Sequence, residues 1–237
     1  MKDYQILKVN DHTDSYYTKK KDIFDLPFRL LIVGKSFLSG KSTIILNLLL
    51  REKFYKNDFE GDNIFIVSNN ALDNKMCILK KEKDVDGGNF MEFSESNLNA
   101  IYEEVEERAL DAINDGKKPP NSLIVIDDCA FSGGLKEKMN GTLSRIFCNG
   151  RHINLSVIVT AQKYSQLSTT MRTNASGAIL FSNSMNEVEA MAQDFNYLES
   201  KREFVSLFRK ATKGKNKFLV VNFTEDSIYQ DSEFKAL

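Results

Sequence analysis

An apolar run, Leu30-Leu31-Ile32-Val33, feeds a glycine-bearing loop between Gly34 and Gly40, which opens on Lys41-Ser42-Thr43 and then on the mostly apolar residues 44–50. That order predicts a buried strand over about residues 29–33, a phosphate-binding loop, and a helix from about residue 41 to 52. The chemistry needs these residue types here. Backbone N–H groups of the loop and the helix N-terminus point at a β-phosphate. Lys41 offers a mobile cation to the β- and γ-phosphates, and the Ser42 hydroxyl can ligate Mg²⁺. The candidate nucleotide-binding residues are Gly34, Lys35, Ser36, Ser39, Gly40, Lys41, Ser42 and Thr43. The spacing departs from the common G-x-x-x-x-G-K-[ST], because Gly34 and Gly40 stand one residue further apart. Either Lys35 sits where the first glycine belongs, or the loop carries a one-residue insertion.

A second motif lies at Ser122-Leu123-Ile124-Val125-Ile126-Asp127-Asp128. A continuous apolar run fits a strand buried on both faces of a parallel sheet, and its C-terminal end is where α/β sheets bind ligands. It looks like a Walker B element. Asp127 would hold Mg²⁺, directly or through water, and Asp128 would polarise the attacking water, a role more often filled by Glu. A third buried strand, residues 155–162, ends on Gln162. Gln162 either senses the γ-phosphate or its water, or is an ordinary polar strand end.

The chain of 237 residues is long enough for one large α/β domain. We expect an arm or lid over residues 1–24, a nucleotide-binding domain over 25–225 and a loose tail over 226–237. Residues 69–89 read as a polar loop, Ser96 as the cap of a helix running to Asn114, residues 135–148 as a helix burying Leu135, Met139 and Leu143, and Ser184 with Glu187 as a capping box. The formal charge of −1 gives no overall attraction to nucleic acid, so any such binding comes from local basic patches. One candidate is residues 201–217, where seven Lys and Arg face the single acid Glu203, although a solvated helix face and hairpin turn is the plainer reading. Cys77, Cys129 and Cys148 have no metal-ligand spacing and read as reduced thiols. No apolar run is long enough to span a bilayer, which argues against a membrane partner. Nothing matches the Asn-Lys-x-Asp guanine reader, which favours ATP over GTP.

Further signals come in a fixed order: Leu26-Pro27-Phe28-Arg29 before the loop, the double Asp at 127–128, Gly150-Arg151-His152-Ile153-Asn154, the strand ending in Gln162, and Arg172-Thr173-Asn174. Over roughly residues 26–225 the chain resembles the poxvirus-type virion genome-packaging ATPases of the FtsK–HerA superfamily. The Arg-His-x-Asn is the more specific signal; the lengthened phosphate loop departs from the family's pattern. The resemblance implies a P-loop NTPase of the additional-strand, recA-like type, with a mostly parallel central sheet flanked by helices. It implies ATP hydrolysis with Mg²⁺, coupled to moving double-stranded DNA into a preformed capsid at its vertex. It further implies a homo-oligomeric ring, pentamer or hexamer, in the virion or the host-cell cytoplasm at the viral factory. In such a ring an arginine supplied in trans belongs near the nucleotide edge of the sheet, and Arg151 and Arg172, both expected on connecting segments, are the candidates. The residues alone leave two alternatives: a P-loop kinase of nucleotides or other small molecules, and a nucleotide-binding structural subunit without turnover.

Overall fold

The apolar runs form strands buried on both faces. The computed structural model describes residues 12–36, 39–70, 73–129, 135, 141–226 and 228–237. Among these, eight strands make one sheet: β1 (Arg29–Val33), β2 (Ile64–Ser68), β3 (Phe90–Met91), β4 (Ser122–Asp127), β5 (Leu155–Ala161), β6 (Gly177–Phe181), β7 (Phe218–Asn222) and β8 (Tyr229–Gln230). Their spatial order is β3-β2-β4-β5-β1-β6-β7-β8. The first six pair in parallel, and β7 and β8 add on antiparallel. The helices are α1 (Lys41–Leu50), α2 (Asn74–Glu82), α3 (Glu95–Asn114), α4 (Thr142–Asn149), α5 (Thr169–Asn174), α6 (Met185–Phe195) and α7 (Lys201–Ala211). This is an α/β fold with helices on both faces of a mostly parallel sheet. Side chains alternate between two cores. Leu31, Val33, Ile124, Ile126, Val157 and Val159 face α3, α4, α6 and α7, whereas Leu30, Ile32, Leu123, Val125 and Ile158 face α1 and α2.

Several local expectations change. Residues 69–89 are not all loop, because α2 forms with Asp73 as its cap, accepting from the N–H groups of Lys75 and Met76, and with Met76 and Leu79 inward. The cap of α3 is Ser94 rather than Ser96. Ser184 makes no side-chain cap on α6, since Glu187 turns inward to accept from the N–H and Oγ of Ser165. Of the helix expected over residues 135–148, α4 covers only the last part; residues 136–140, with Met139, lie outside the described residues.

Both chain ends depart from expectation. Residues 1–11 lie outside the described part, but Tyr16 is buried, and Ile23 and Phe24 are buried in the core on the α1 side of the sheet rather than in a detached arm. The Phe24 ring lies over Gly177, where an added Cβ would come within 2.2 Å of the ring. Its carbonyl accepts from the Tyr55 hydroxyl at 2.6 Å. The supposed tail supplies β8, and the Tyr229 hydroxyl donates to the Phe195 carbonyl at 2.6 Å. Phe234 is buried against Phe54 and Phe218. Single large side chains set among polar neighbours bury these segments, so neither has a readable period. Phe24→Ala should therefore cost about 3–5 kcal/mol, the range for removing a buried aromatic, as measured by urea denaturation; a loss under about 1 kcal/mol would mean the segment is a detachable arm.

Candidate functional site

The site forms where the C-terminal ends of β1, β4 and β5 meet the N-terminus of α1. β5 lies between β1 and β4, with Val33 opposite Ala161 and Ile126 opposite Val159. The chain leaves β1 at Gly34, whose N–H still donates to the Ala161 carbonyl at 3.0 Å. A Cβ at Gly34 would stand 2.8 Å from the Phe181 Cβ and 2.9 Å from the Ser39 Cβ. Glycine is therefore required at position 34. Gly40, at φ +79°, turns the chain into α1 in a conformation open to glycine. Lys35 and Ser36 are exposed.

Lys41 is buried and folds back over its own loop. Its Nζ donates to the carbonyls of Gly34 at 2.8 Å and Lys35 at 3.3 Å and to Ser39 Oγ at 3.4 Å. Burial lowers its pKa, and the nearby carboxylates of Asp127 and Asp128 oppose that shift. A cation held only by neutral oxygens is one that a phosphate can recruit. Lys75, on α2, adds a second cation, its Nζ donating to Thr43 Oγ1 at 2.8 Å.

Period two along β4 puts Asp127 on the α1 side, with Leu123 and Val125. There its two oxygens are split between two elements. Ser42 Oγ donates to Oδ2 at 2.9 Å, and Thr160 Oγ1 donates to Oδ1 at 2.6 Å. The Thr160 hydroxyl also accepts the Asp128 N–H at 3.0 Å, so one β5 side chain holds the Asp127 carboxylate and the backbone that carries Asp128. Burial raises the Asp127 pKa, and the hydrogen bonds from Thr160 and Ser42 hold it back. Asp128 has left the strand at φ +54°, and its Oδ1 accepts from Gln162 Nε2 at 3.2 Å. The Gln162 carbonyl in turn accepts from Asn183 Nδ2 at 3.1 Å. The hydroxyl of Ser42 and the carboxylate of Asp127 are hard oxygen donors side by side. They suit Mg²⁺, which takes one or two protein carboxylates and leaves its other positions to water and phosphate. Cys129, behind them, is buried, with its thiol pKa pushed up to about 12 by burial.

The two arginines are elsewhere. Arg151 is exposed in the short turn Gly150–Ile153 before β5, its Nε donating to His152 Nε2 at 3.3 Å. The turn is at the end of the sheet opposite the phosphate loop, roughly 20 Å away along β5 at about 3.3 Å per residue. Arg172 is in α5, not on a connection, and is engaged within its own chain. It pairs with Asp194 at 2.7 Å, and its guanidinium stands 5.3 Å from the Tyr164 ring centroid. Arg145 pairs with Glu106 over Tyr102. Two site residues were missed from the sequence. Thr160 was legible as a polar residue in an apolar strand, two before Gln162; Lys75 gave no signal. The basic residues at 201–217 are exposed on α7 and the turn after it, and Lys215 and Lys217 line a cavity with Lys35 and Ser39.

The profile of the family described as Poxvirus A32 protein matches residues 16–236. A monkeypox virus protein described as DNA packaging protein OPG160 is 22% identical over 232 residues, covering 91% of this chain and 68% of that protein. The vaccinia virus (strain Copenhagen) protein of the same description is 22% identical over 225 residues, covering 91% of this chain and 76% of its own. Among solved structures, the DNA-packaging ATPase B204 from Sulfolobus turreted icosahedral virus superposes with a TM-score of 0.57 at 15% identity, over 86% of this chain and 96% of that one. At that identity the likeness is one of fold.

The buried carboxylate has a consequence for stability. Its folded pKa lies above the unfolded value, so Asp127 subtracts stability as pH rises through the raised value and costs nothing below the unfolded one. Asp127→Asn should therefore stabilise the nucleotide-free protein at pH 7.5, with the gain fading towards pH 4. Thermal melts at the two pH values check this; a gain that grows on acidification would contradict it.

Proposed function

The chain belongs to the poxvirus A32 protein family, and from that premise we propose that it is an ATPase whose hydrolysis of ATP to ADP and phosphate drives double-stranded DNA into a viral capsid. The observation that carries the reading is the Asp127 carboxylate held between Thr160 and Ser42, with Asp128 anchored to Thr160 through its N–H, beside the buried Lys41. Relatives described as DNA packaging proteins supply the substrate class. Gly34, Lys35, Ser36, Ser39, Gly40 and Thr43 line the phosphate path, and Lys41 moves from its loop carbonyls to the β- and γ-phosphates. Ser42 and Asp127 would hold Mg²⁺, which when bound neutralises phosphate charge. Asp128 takes a proton from the attacking water at a carboxylate oxygen, and Gln162 keeps that carboxylate aimed. DNA would lie on the exposed basic residues of 201–217, by phosphate contacts without regard to sequence.

Lys41→Ala should abolish phosphate release, and Asp128→Asn should keep nucleotide binding but stop turnover. Wild-type-like turnover in Lys41→Ala would overturn the reading. Absence of any phosphate release by the wild type, with and without double-stranded DNA, would leave a nucleotide-binding structural subunit. Phosphoryl transfer to a nucleoside would leave a kinase.

In a ring of copies, Arg151 is kept as the trans candidate although the sheet puts it at the end opposite the phosphate loop and not at the nucleotide edge expected of it, because it is exposed whereas Arg172 is paired to Asp194. An arginine supplied across an interface is worth about 10³–10⁵ in rate. Arg151→Ala subunits should lose activity on that scale alone and regain part of it when mixed with Lys41→Ala subunits. If the mixture recovers nothing while the variants still assemble, Arg151 does not act in trans.

A further inference from the structure

The chain that leaves β5 through Gln162 enters a short turn, Tyr164–Gln166. Helix α6 and the connection before it hold that stretch at three points. Asn183 Nδ2 donates to the Gln162 carbonyl at 3.1 Å. Glu187, in the first turn of α6, accepts the Ser165 N–H at 2.9 Å on one oxygen and the Ser165 hydroxyl at 2.8 Å on the other. Asp194, near the end of the helix, accepts the Tyr164 hydroxyl at 2.8 Å and pairs with Arg172. The start of α6 shows what this arrangement displaces. Ser184 and Glu187 have the spacing of a capping box, in which Glu187 would accept the Ser184 N–H. Asn183 Oδ1 accepts that N–H instead, at 2.9 Å, and Ser184 makes no side-chain cap. Glu187 is thereby free to turn inward, where it is buried against the turn and, among the described residues, in no ion pair. Buried glutamates without a cation are rare. Proteins break such local rules mainly at functional sites.

We propose that Asn183 and Glu187 are positioning residues for ATP hydrolysis that act through Gln162, a role that rests on the reading of Asp128 and Gln162 given above. Pairing of β5 with β1 ends at Ala161. Beyond it, Gln162 depends on what grips its own carbonyl and the turn that follows. Its Nε2 meets Asp128 Oδ1 at 3.2 Å only while that backbone stays in place. Asn183 and Glu187 make no hydrogen bond to Lys41, Ser42, Asp127 or Asp128; their bonds go to residues 162, 165 and 184. Their influence on the carboxylate that activates water therefore passes through Gln162. A misplacement of about 1 Å in such a group can cost roughly 10²-fold in rate.

Two near-isosteric variants test this. Asn183→Asp keeps the acceptor for the Ser184 N–H and removes the donor to the Gln162 carbonyl. Glu187→Gln keeps the shape and replaces one acceptor by a donor. Both should leave the affinity for a non-hydrolysable ATP analogue with Mg²⁺ unchanged by isothermal titration, and lower the kcat of phosphate release by about 10- to 100-fold. A double-mutant cycle separates positioning from packing. In a Gln162→Ala background, itself impaired, neither substitution should lower kcat further, because the side chain it aims is gone. If one variant fails to fold, as judged by thermal melting, the other carries the same cycle. Full kcat in the folded variants, full kcat in Gln162→Ala, or losses that multiply with that of Gln162→Ala overturn the positioning role while the ATPase reading stands. A wild type that binds the analogue and never turns over ATP overturns the ATPase reading and the positioning role with it.

Discussion

The site depends on the parallel placement of β5 between β1 and β4. Strand ends alone would leave the phosphate loop and the double Asp as separate features. With β5 inserted, the Thr160 hydroxyl reaches Asp127 Oδ1 at 2.6 Å and the Asp128 N–H at 3.0 Å, and Ser42 closes on the other oxygen of Asp127. Three elements far apart in sequence are thereby locked by three hydrogen bonds. The two that end on the Asp127 carboxylate are charge-assisted, the stronger class. Together the three fix the direction of the Asp127 carboxylate and the backbone from which Asp128 projects.

That arrangement stores unfavourable electrostatics on purpose. Asp127 is buried with its pKa raised, and Lys41 is buried with its pKa lowered, both chiefly by loss of water. Neither is matched by a direct ion pair with the other; Lys41 spends its donors on loop oxygens. A polyanion with its cation would supply the missing charges, so nucleotide binding and stability are linked. Sites that run on such groups are less stable than the same fold with neutral substitutes.

The chain ends contribute more than their composition suggests. Phe24 packs on Gly177 in the middle of the sheet, and Phe234 packs on Phe54 and Phe218 beside the phosphate loop. The first closes one face of the core. The second extends the α1 face outward, so the segment that completes the sheet at β8 also walls a cavity beside the loop. Lys215 and Lys217, on the turn before β7, approach the same loop from the other side of Phe181.

Strand and helix order, the phosphate loop, the two carboxylates and the Gln162 strand end were legible in the sequence, because continuous apolar runs report burial on both faces and because each motif is local. Helix α2 was hidden by its charges, its burial resting on Met76 and Leu79 alone. The steric need for glycine at position 34 was not legible either, because Phe181, which crowds it, comes from β6. The standing of the two arginines was likewise open: a pattern of residues gives no depth along a strand, and only the sheet shows Arg151 at the far end and Arg172 paired to Asp194. The sequence by itself determined what each segment would become. The tertiary structure decided which segments meet, because hydrogen bonds such as Thr160 to Asp127 and contacts such as Phe24 to Gly177 join residues whose separation along the chain carries no periodic signal.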